Sequence, residues 1–347
     1  MRIGIALDGL LGLSYAEQRT VVRQALSRGY DNAWTNSLAT GRDAFHTCAQ
    51  WAATVADDSD TFGTGILVVP APVWSALSLA GQAATVGDLS GGRFVLGVGL
   101  GGAVQAGFRR TFGIPDVPPI ALAREYLLAL RSLLGGEKVT LEGRAVTLRG
   151  VELGFRPPRV PIYLGALGPQ MLRLAGELAD GVAPNWCTPE QIAWCREQVA
   201  DGARRAGRDP AAVQVVQYIR VCVDDDVEAA RRALAAQVLA YAMAAPGAPK
   251  DHGYRGHFGR MGFDGVLTEL EARRDAGAAR DELIDGLPAE LLLRVGYFGR
   301  AEGAAAAFKR MAVGLDEAIV RVVTTRPSLD RTLTTLEACS PARLAAA

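Results

Sequence analysis

The side chains best suited to nucleophilic or metal chemistry are few in this sequence, and their spacing supports neither. The five cysteines, Cys48, Cys187, Cys195, Cys222 and Cys339, contain no C-x-x-C pair. That argues against a zinc site and against a disulfide framework. The three histidines, His46, His252 and His257, form no H-E-x-x-H. Only His252 and His257 lie close together, in a Gly-rich stretch that makes a poor metal site. G-x-S-x-G, Walker A and kinase signatures are missing as well. Chemistry on such a chain calls for a borrowed cofactor and no metal.

The informative residues are glycines at the ends of apolar segments. Asp8-Gly9, Thr35-Asn36, Gly65-Ile66, Gly99 to Gly102, Gly165 to Gly168, Asn185-Trp186 and Arg220 all occupy such ends. Close backbone approach to a flat or phosphorylated ligand accounts for glycine there. The sharpest element is YLGALGPQMLRLAGELADG, residues 163–181. A strand enters a Gly-bounded turn, and Pro169 opens a helix. Free N–H groups at a helix start, together with the helix dipole, attract anions. Pro169 has no N–H, so the amides of Gly165, Ala166, Leu167, Gly168, Gln170 and Met171 are the candidates to hold a phosphate. An ordinary βα turn would read the same way.

These ends are positioned by a repeating unit. Strand-like segments begin near Ile3, Ala33, Gly63 and Phe94, a spacing of about thirty residues that suits one strand–helix–loop unit. Ser14 with Glu17 spells a capping box, and Gly29 stops the helix it opens. Asp43 caps a second helix, and Gly91-Gly92 ends a third that begins near Leu77. A long amphipathic helix runs from Ile120 to Leu134, followed by a predicted hairpin insertion over about 137–150. PIYLGA, GVAPNW, VQVVQYIRVCV and AIVRVV supply strands five to eight. Residues from about 246 to 290 break the rhythm and read as a lid or extra helices. Eight apolar strands, each followed by helical sequence, predict one α/β domain over 1–347, a (β/α)8 TIM barrel with insertions. A doubly wound open sheet is the rival.

Composition narrows the function class. Lys+Arg 37 balances Asp+Glu 37, so the net charge is zero and a nucleic-acid partner is not expected. No apolar run approaches the roughly eighteen residues that span a bilayer, and the N-terminus reads as a strand. A cytoplasmic protein acting on a small molecule is expected.

Four segments, FGTGILVVP (62–70), LSLAGQAATVGDLSGGRFVLGVGLG (77–101), AREYLLALRSLLGGEKVTLEG (123–143) and PIYLGALGPQMLRLAGELADGVAPNW (161–186), carry a resemblance. They are similar to the luciferase-like monooxygenase superfamily, and within it to the coenzyme F420-dependent oxidoreductases of the methylenetetrahydromethanopterin reductase type. The likeness covers about 1–225 and Ala318 to Pro341; about 246–300 has no match. It implies a deazaflavin or flavin at the barrel mouth, with its phosphate on Ala166, Leu167, Gly168 and Gln170. The ring would lie over Gly65-Ile66, the expected place of a non-prolyl cis peptide, flanked by Thr35 and Asn36. Relatives often carry Ser/Thr-Asp-His after the second-strand Trp; here Trp34 is followed by Thr35, Asn36, Ser37 and Leu38. His46 and Asp8 are the substitutes offered for proton transfer, each with an alternative role as a helix or loop cap. Arg109 and Arg110 are candidates for the acidic tail of coenzyme F420. Trp74 and Trp186 adjoin the cofactor loops, with packing as the alternative role. The implied activity is hydride transfer between reduced F420 and a C=C or C=N bond. The alternatives are an FMN-dependent monooxygenase using O₂ and a flavin-binding barrel without turnover. A homodimer, joined through the outer faces beginning at Leu77 and Ile120, is expected by analogy.

Overall fold

The computed structural model describes residues 1–38 and 40–347. The strands are β1 (Arg2–Ala6), β2 (Asn32–Thr35), β3 (Gly63–Pro70), β4 (Phe94–Gly99), β5 (Val139–Glu142), β6 (Thr147–Val151), β7 (Ile162–Gly165), β8 (Gly181–Ala183), β9 (Gln214–Val223), β10 (Gly296–Gly299) and β11 (Glu317–Val323). β1, β2, β3, β4, β7, β8, β9 and β11 pair in parallel in that order, and β11 returns to β1. The sheet is therefore closed, and the open doubly wound alternative falls away. β5 and β6 form the antiparallel hairpin expected near 137–150.

Most helices start where their caps dictate. Ser14 and Glu17 make a reciprocal capping box on α1 (Tyr15–Ser27), and Asp43 accepts the His46 amide at the start of α2 (Ala44–Thr54). Ser75 caps α3 (Ala76–Leu89). The short α4 (Ala106–Phe112) leads to α5 (Pro119–Leu134). α6 (Pro169–Leu178) and α7 (Pro189–Arg205) both open on proline, as the missing N–H allows. On α3 and α5, Leu79, Ala80, Leu127 and Leu130 are fully buried against the barrel, while Leu89 and Leu128 remain exposed.

After α8 (Val227–Ala242) the irregular region folds as α9 (Gly253–Phe258), a π-turn over Gly259–Phe263, α10 (Asp264–Asp275), α11 (Arg280–Asp285) and α12 (Ala289–Val295). These helices enclose a second apolar cluster that includes Trp186, Phe258, Leu267 and Leu292. The chain then re-enters the sheet as β10, a strand the sequence reading missed. β9 is long enough to serve two neighbours, β8 along its first half and β10 along its second. α13 (Ala301–Met311), α14 (Leu329–Ala338) and α15 (Pro341–Ala346) complete the chain. No helix among the described residues is long and apolar enough to cross a membrane.

Alternate side chains of each strand fill the barrel. Its middle holds Ala6, Trp34, Leu67, Tyr163, Val216, Tyr218 and Ile319. Trp34 lies 6.3 Å from Tyr163, centroid to centroid. Two large rings fit because inward positions beside them are glycine. A Cβ on Gly4 or Gly65 would overlap Trp34, and one on Gly181 would overlap Tyr163. Beneath them Glu317 accepts hydrogen bonds from Asn32 and Trp34 and pairs with Arg2 at 3.2 Å.

Gly65→Ala should therefore overpack the barrel, lowering stability by about 1–3 kcal/mol. Gly81→Ala, on α3 with open space around the new methyl, should leave it unchanged or raise it. Urea unfolding midpoints of the two variants check this, with the near-ultraviolet signal of Trp34 as a second readout.

Candidate functional site

Strand parity also decides what reaches the barrel mouth. Asp8, Asn36, Gly99, Gly165, Asn185, Arg220 and Arg321 share the inward face at the C-terminal ends, the end where barrels of this type place function. Arg220 and Arg321 are register partners on adjacent strands, so their side chains leave the sheet side by side. Arg321 donates Nε–H and Nη2–H to Asp8 Oδ2 at 3.0 and 2.5 Å, and both side chains are buried. The Leu10 amide donates to Asp8 Oδ1 at 2.8 Å. Asp8 is thus both a loop cap and the counter-ion of Arg321. Arg321 also lies over the Tyr218 ring, whose hydroxyl donates to the Thr35 carbonyl at 3.0 Å.

Arg220 is completely buried and lies 3.7 Å above the Trp186 ring. Its Nη1 donates to Asn185 Oδ1 and, at 3.4 Å, to the Tyr218 carbonyl. Burial, then the adjacent Arg321, lowers its pKa to about 9. Trp186 has φ 58, a region bulky residues avoid. Its neighbours hold that shape. The Gln217 side chain accepts from the Cys187 amide at 2.9 Å and donates to the Cys187 carbonyl at 3.2 Å. His257 Nε2 lies 3.2 Å from the Trp186 carbonyl oxygen. Sequence reasoning noted Arg220 only as a strand end and passed over Arg321 and Tyr218. The available signal was an arginine at inward parity in an otherwise apolar strand.

On the opposite side of the mouth the strands are apolar and glycine-rich. β3 shifts register between Ile66 and Val69, so consecutive residues Leu67 and Val68 both join the barrel interior. The non-prolyl cis peptide joins Leu67 to Val68, two residues beyond the expected Gly65-Ile66. This corrects the expected position: Gly65 lies against Trp34 and Ile66 is fully buried. Val68 occupies the space that side chains on Gly99 and Gly165 would need.

The turn into α6 keeps most of its donors free. Ala166 N–H donates to the Ala183 carbonyl at 3.4 Å, whereas the amides of Leu167, Gly168, Gln170 and Met171 find no acceptor among the described residues. Gly168 has φ −94 and ψ 157, and a Cβ there would meet nothing within 4 Å. Valine would accept that extended backbone, so a side chain at 168 would not restrict the turn itself. Arg260, from the π-turn, donates to the Leu167 carbonyl at 3.0 Å and sets a guanidinium beside these amides.

Other candidates lie elsewhere. The His46 ring is 80% exposed and sits 2.8 Å from Asp43, at the start of α2. Trp74 packs edge-on against Phe45. Arg109 is paired with Asp116 at 3.2 Å and Arg110 is exposed. His252 faces Asp251 on the surface while His257 is buried, so the structure separates them. A cleft of about 220 Å3 beside the mouth is lined by Asp8, Gln18, Thr35, Asn36, Arg42 and Thr47 among others.

These features define a class of protein. Residues 2–314 match the luciferase-like monooxygenase family, and the chain belongs to this family of oxidoreductases. It is 31% identical to the 5,10-methylenetetrahydromethanopterin reductase of Archaeoglobus fulgidus, over 87% of this chain and 91% of that protein. It is 37% identical to the enzyme of the same name from Methanolobus tindarius over 62% of this chain, a match that spans 63% of the relative's length. A solved structure, the coenzyme F420-dependent tetrahydromethanopterin reductase from Methanopyrus kandleri, superposes with TM-score 0.75 at 19% identity, covering 98% of each chain.

Burial, the leading cause, lowers the His257 pKa to about 4, against about 6.5 in an unfolded chain. Between those values the unfolded state takes up a proton that the folded state refuses, so stability falls with falling pH. The loss contributed by His257 should approach about 3 kcal/mol by pH 4. Urea unfolding of wild type and His257→Gln between pH 7 and 4 checks this. The variant should show a correspondingly shallower decline.

Proposed function

We propose that the protein is a coenzyme F420-dependent oxidoreductase that transfers hydride between the deazaflavin and an unsaturated small molecule. The observation that carries the reading is the turn into α6: free amides of Leu167, Gly168, Gln170 and Met171, an open Gly168 and the Arg260 guanidinium suit a phosphate. The named relatives and the resemblance in the four sequence segments support the choice of cofactor.

When bound, the deazaflavin supplies the hydride; the chain supplies placement and shielding. The α6 amides and Arg260 would hold the phosphate. Val68, with Gly99 and Gly165 beside it, offers an apolar surface for the ring, and Thr35 and Asn36 border the adjoining cleft. Arg321 holds the Asp8 carboxylate in one orientation, so Asp8 acts as a fixed acceptor at the mouth. Tyr254 of α9 accepts from Asn185 Nδ2 at 2.8 Å, closing the lid helices over the site. Asp8 is the better placed of the two proton-transfer candidates, because His46 is turned to solvent on α2.

Anaerobic titration with reduced F420 and with FMNH₂, followed by turnover with and without oxygen, tests the proposal. Tight F420 binding and oxygen-independent turnover are expected. FMNH₂ binding with no F420 affinity would overturn it. Gly168→Val should fold as wild type does, with an unchanged Tm, yet bind F420 at least tenfold more weakly, because the added branch enters only the ligand's space. Unchanged affinity in the folded variant would remove the phosphate from this turn.

A further inference from the structure

Among the described residues three buried arginines lie in or near the lid and mouth, and two have carboxylate partners. Arg321 has Asp8, while Arg255 has Glu271 and Asp264. Arg220 is the third. Among the described residues it has no carboxylate partner, and its Nε and Nη2, both buried, find no acceptor. A buried donor left without a partner is destabilising, more so when charged. A residue that served packing alone would be cheaper as leucine or methionine.

The two unmatched atoms are chemically specific. Nε–H and Nη2–H form one edge of the guanidinium, with their donors parallel, and that edge matches the two oxygens of a carboxylate. Arg321, one strand away in register, gives this same edge to Asp8. The Arg220 plane is fixed from its other sides: Trp186 lies against its face, and Asn185 and the Tyr218 carbonyl take Nη1. Charge points the same way. Arg220, Arg321 and Asp8 together leave one uncompensated positive charge at the mouth, and Tyr254 beside it is neutral, burial raising its pKa to about 12.

We propose that Arg220 is a specificity-determining residue at the barrel mouth, and that the molecule reduced or oxidised here carries a carboxylate, which the free Arg220 edge binds. The proposal rests on the cofactor reading above, since it assigns this anion to the acceptor and the cofactor phosphate to the α6 turn. It also gives the lid a part in recognition, because Asn185 bridges Arg220 to Tyr254.

The test uses the full chain and its Arg220→Met and Arg220→Lys variants. Probes are benzoate and cinnamate against benzamide and cinnamamide, titrated by calorimetry with and without F420. Wild type should bind the carboxylates at least tenfold more tightly than the amides. Arg220→Met should lose that preference and keep its F420 affinity within twofold. Arg220→Lys, which keeps the charge and loses the two-pronged edge, should fall in between, and carries the test if the methionine variant does not fold. Equal binding of acids and amides by wild type, or undiminished acid binding in a folded Arg220→Met, would overturn the proposal. A tenfold loss of F420 affinity in Arg220→Met would also overturn it, moving the anion to the cofactor. Acid preference measured without F420 separates failure here from failure of the cofactor reading.

Discussion

Two guanidinium groups leaving adjacent strands in register, inside a barrel, are the constraint around which the mouth is built. Like charges at that separation repel, and removing either from water is expensive. One is neutralised outright by Asp8. The other is accommodated by softer means: an aromatic face, an amide oxygen and a backbone carbonyl. Each of these partners has its own support. Asp8 is fixed by the Leu10 amide, Trp186 by the bonds that hold its left-handed backbone, and Asn185 by Tyr254. The loops after β1 and β8 and the lid helix α9 are thereby linked to one buried charge pair.

The long insertion fits the same scheme. β9 extends beyond its contact with β8, and β10 covers the length left over, with Gly296 the register partner of Arg220. The segment from α9 to α12 thus returns beside the strand that carries the unmatched arginine. Its own apolar cluster includes Trp186, so the packing of these helices and the guanidinium stacking meet on one side chain. A change in α9 to α12 therefore acts on Arg220 through Trp186 and Asn185.

Much of the barrel was legible because its signals are local. The capping box at Ser14, the cap at Asp43, the prolines opening α6 and α7 and the hairpin near 142 all depend on residues a few positions apart. The glycine turn before α6 was legible for the same reason. What sequence alone missed depends on distant pairing. β10 is a short segment whose identity as a strand comes from the half of β9 that β8 leaves unpaired. The register shift in β3 is visible only in its pairing with β4, and the Leu67-Val68 cis peptide, not Gly65-Ile66, lies within it. Arg321 looked like a polar interruption in AIVRVV until strand parity and Asp8, more than three hundred residues away in sequence, gave it a place.

The mouth is divided into two chemically unlike halves. β3, β4 and β7 present Val68, Gly99 and Gly165, without charge and with little side-chain bulk, next to the free amides of α6. β1, β9 and β11 present Asp8, Arg220 and Arg321. A flat ring needs the first kind of surface, since a charge buried beneath it would be desolvated without a partner. A polar acceptor needs the second, where fixed donors and one fixed carboxylate can orient it at little further cost in reorganisation. The closed sheet keeps both halves facing one space, because strands that bear glycine and strands that bear arginine are fixed on opposite sides of the same ring.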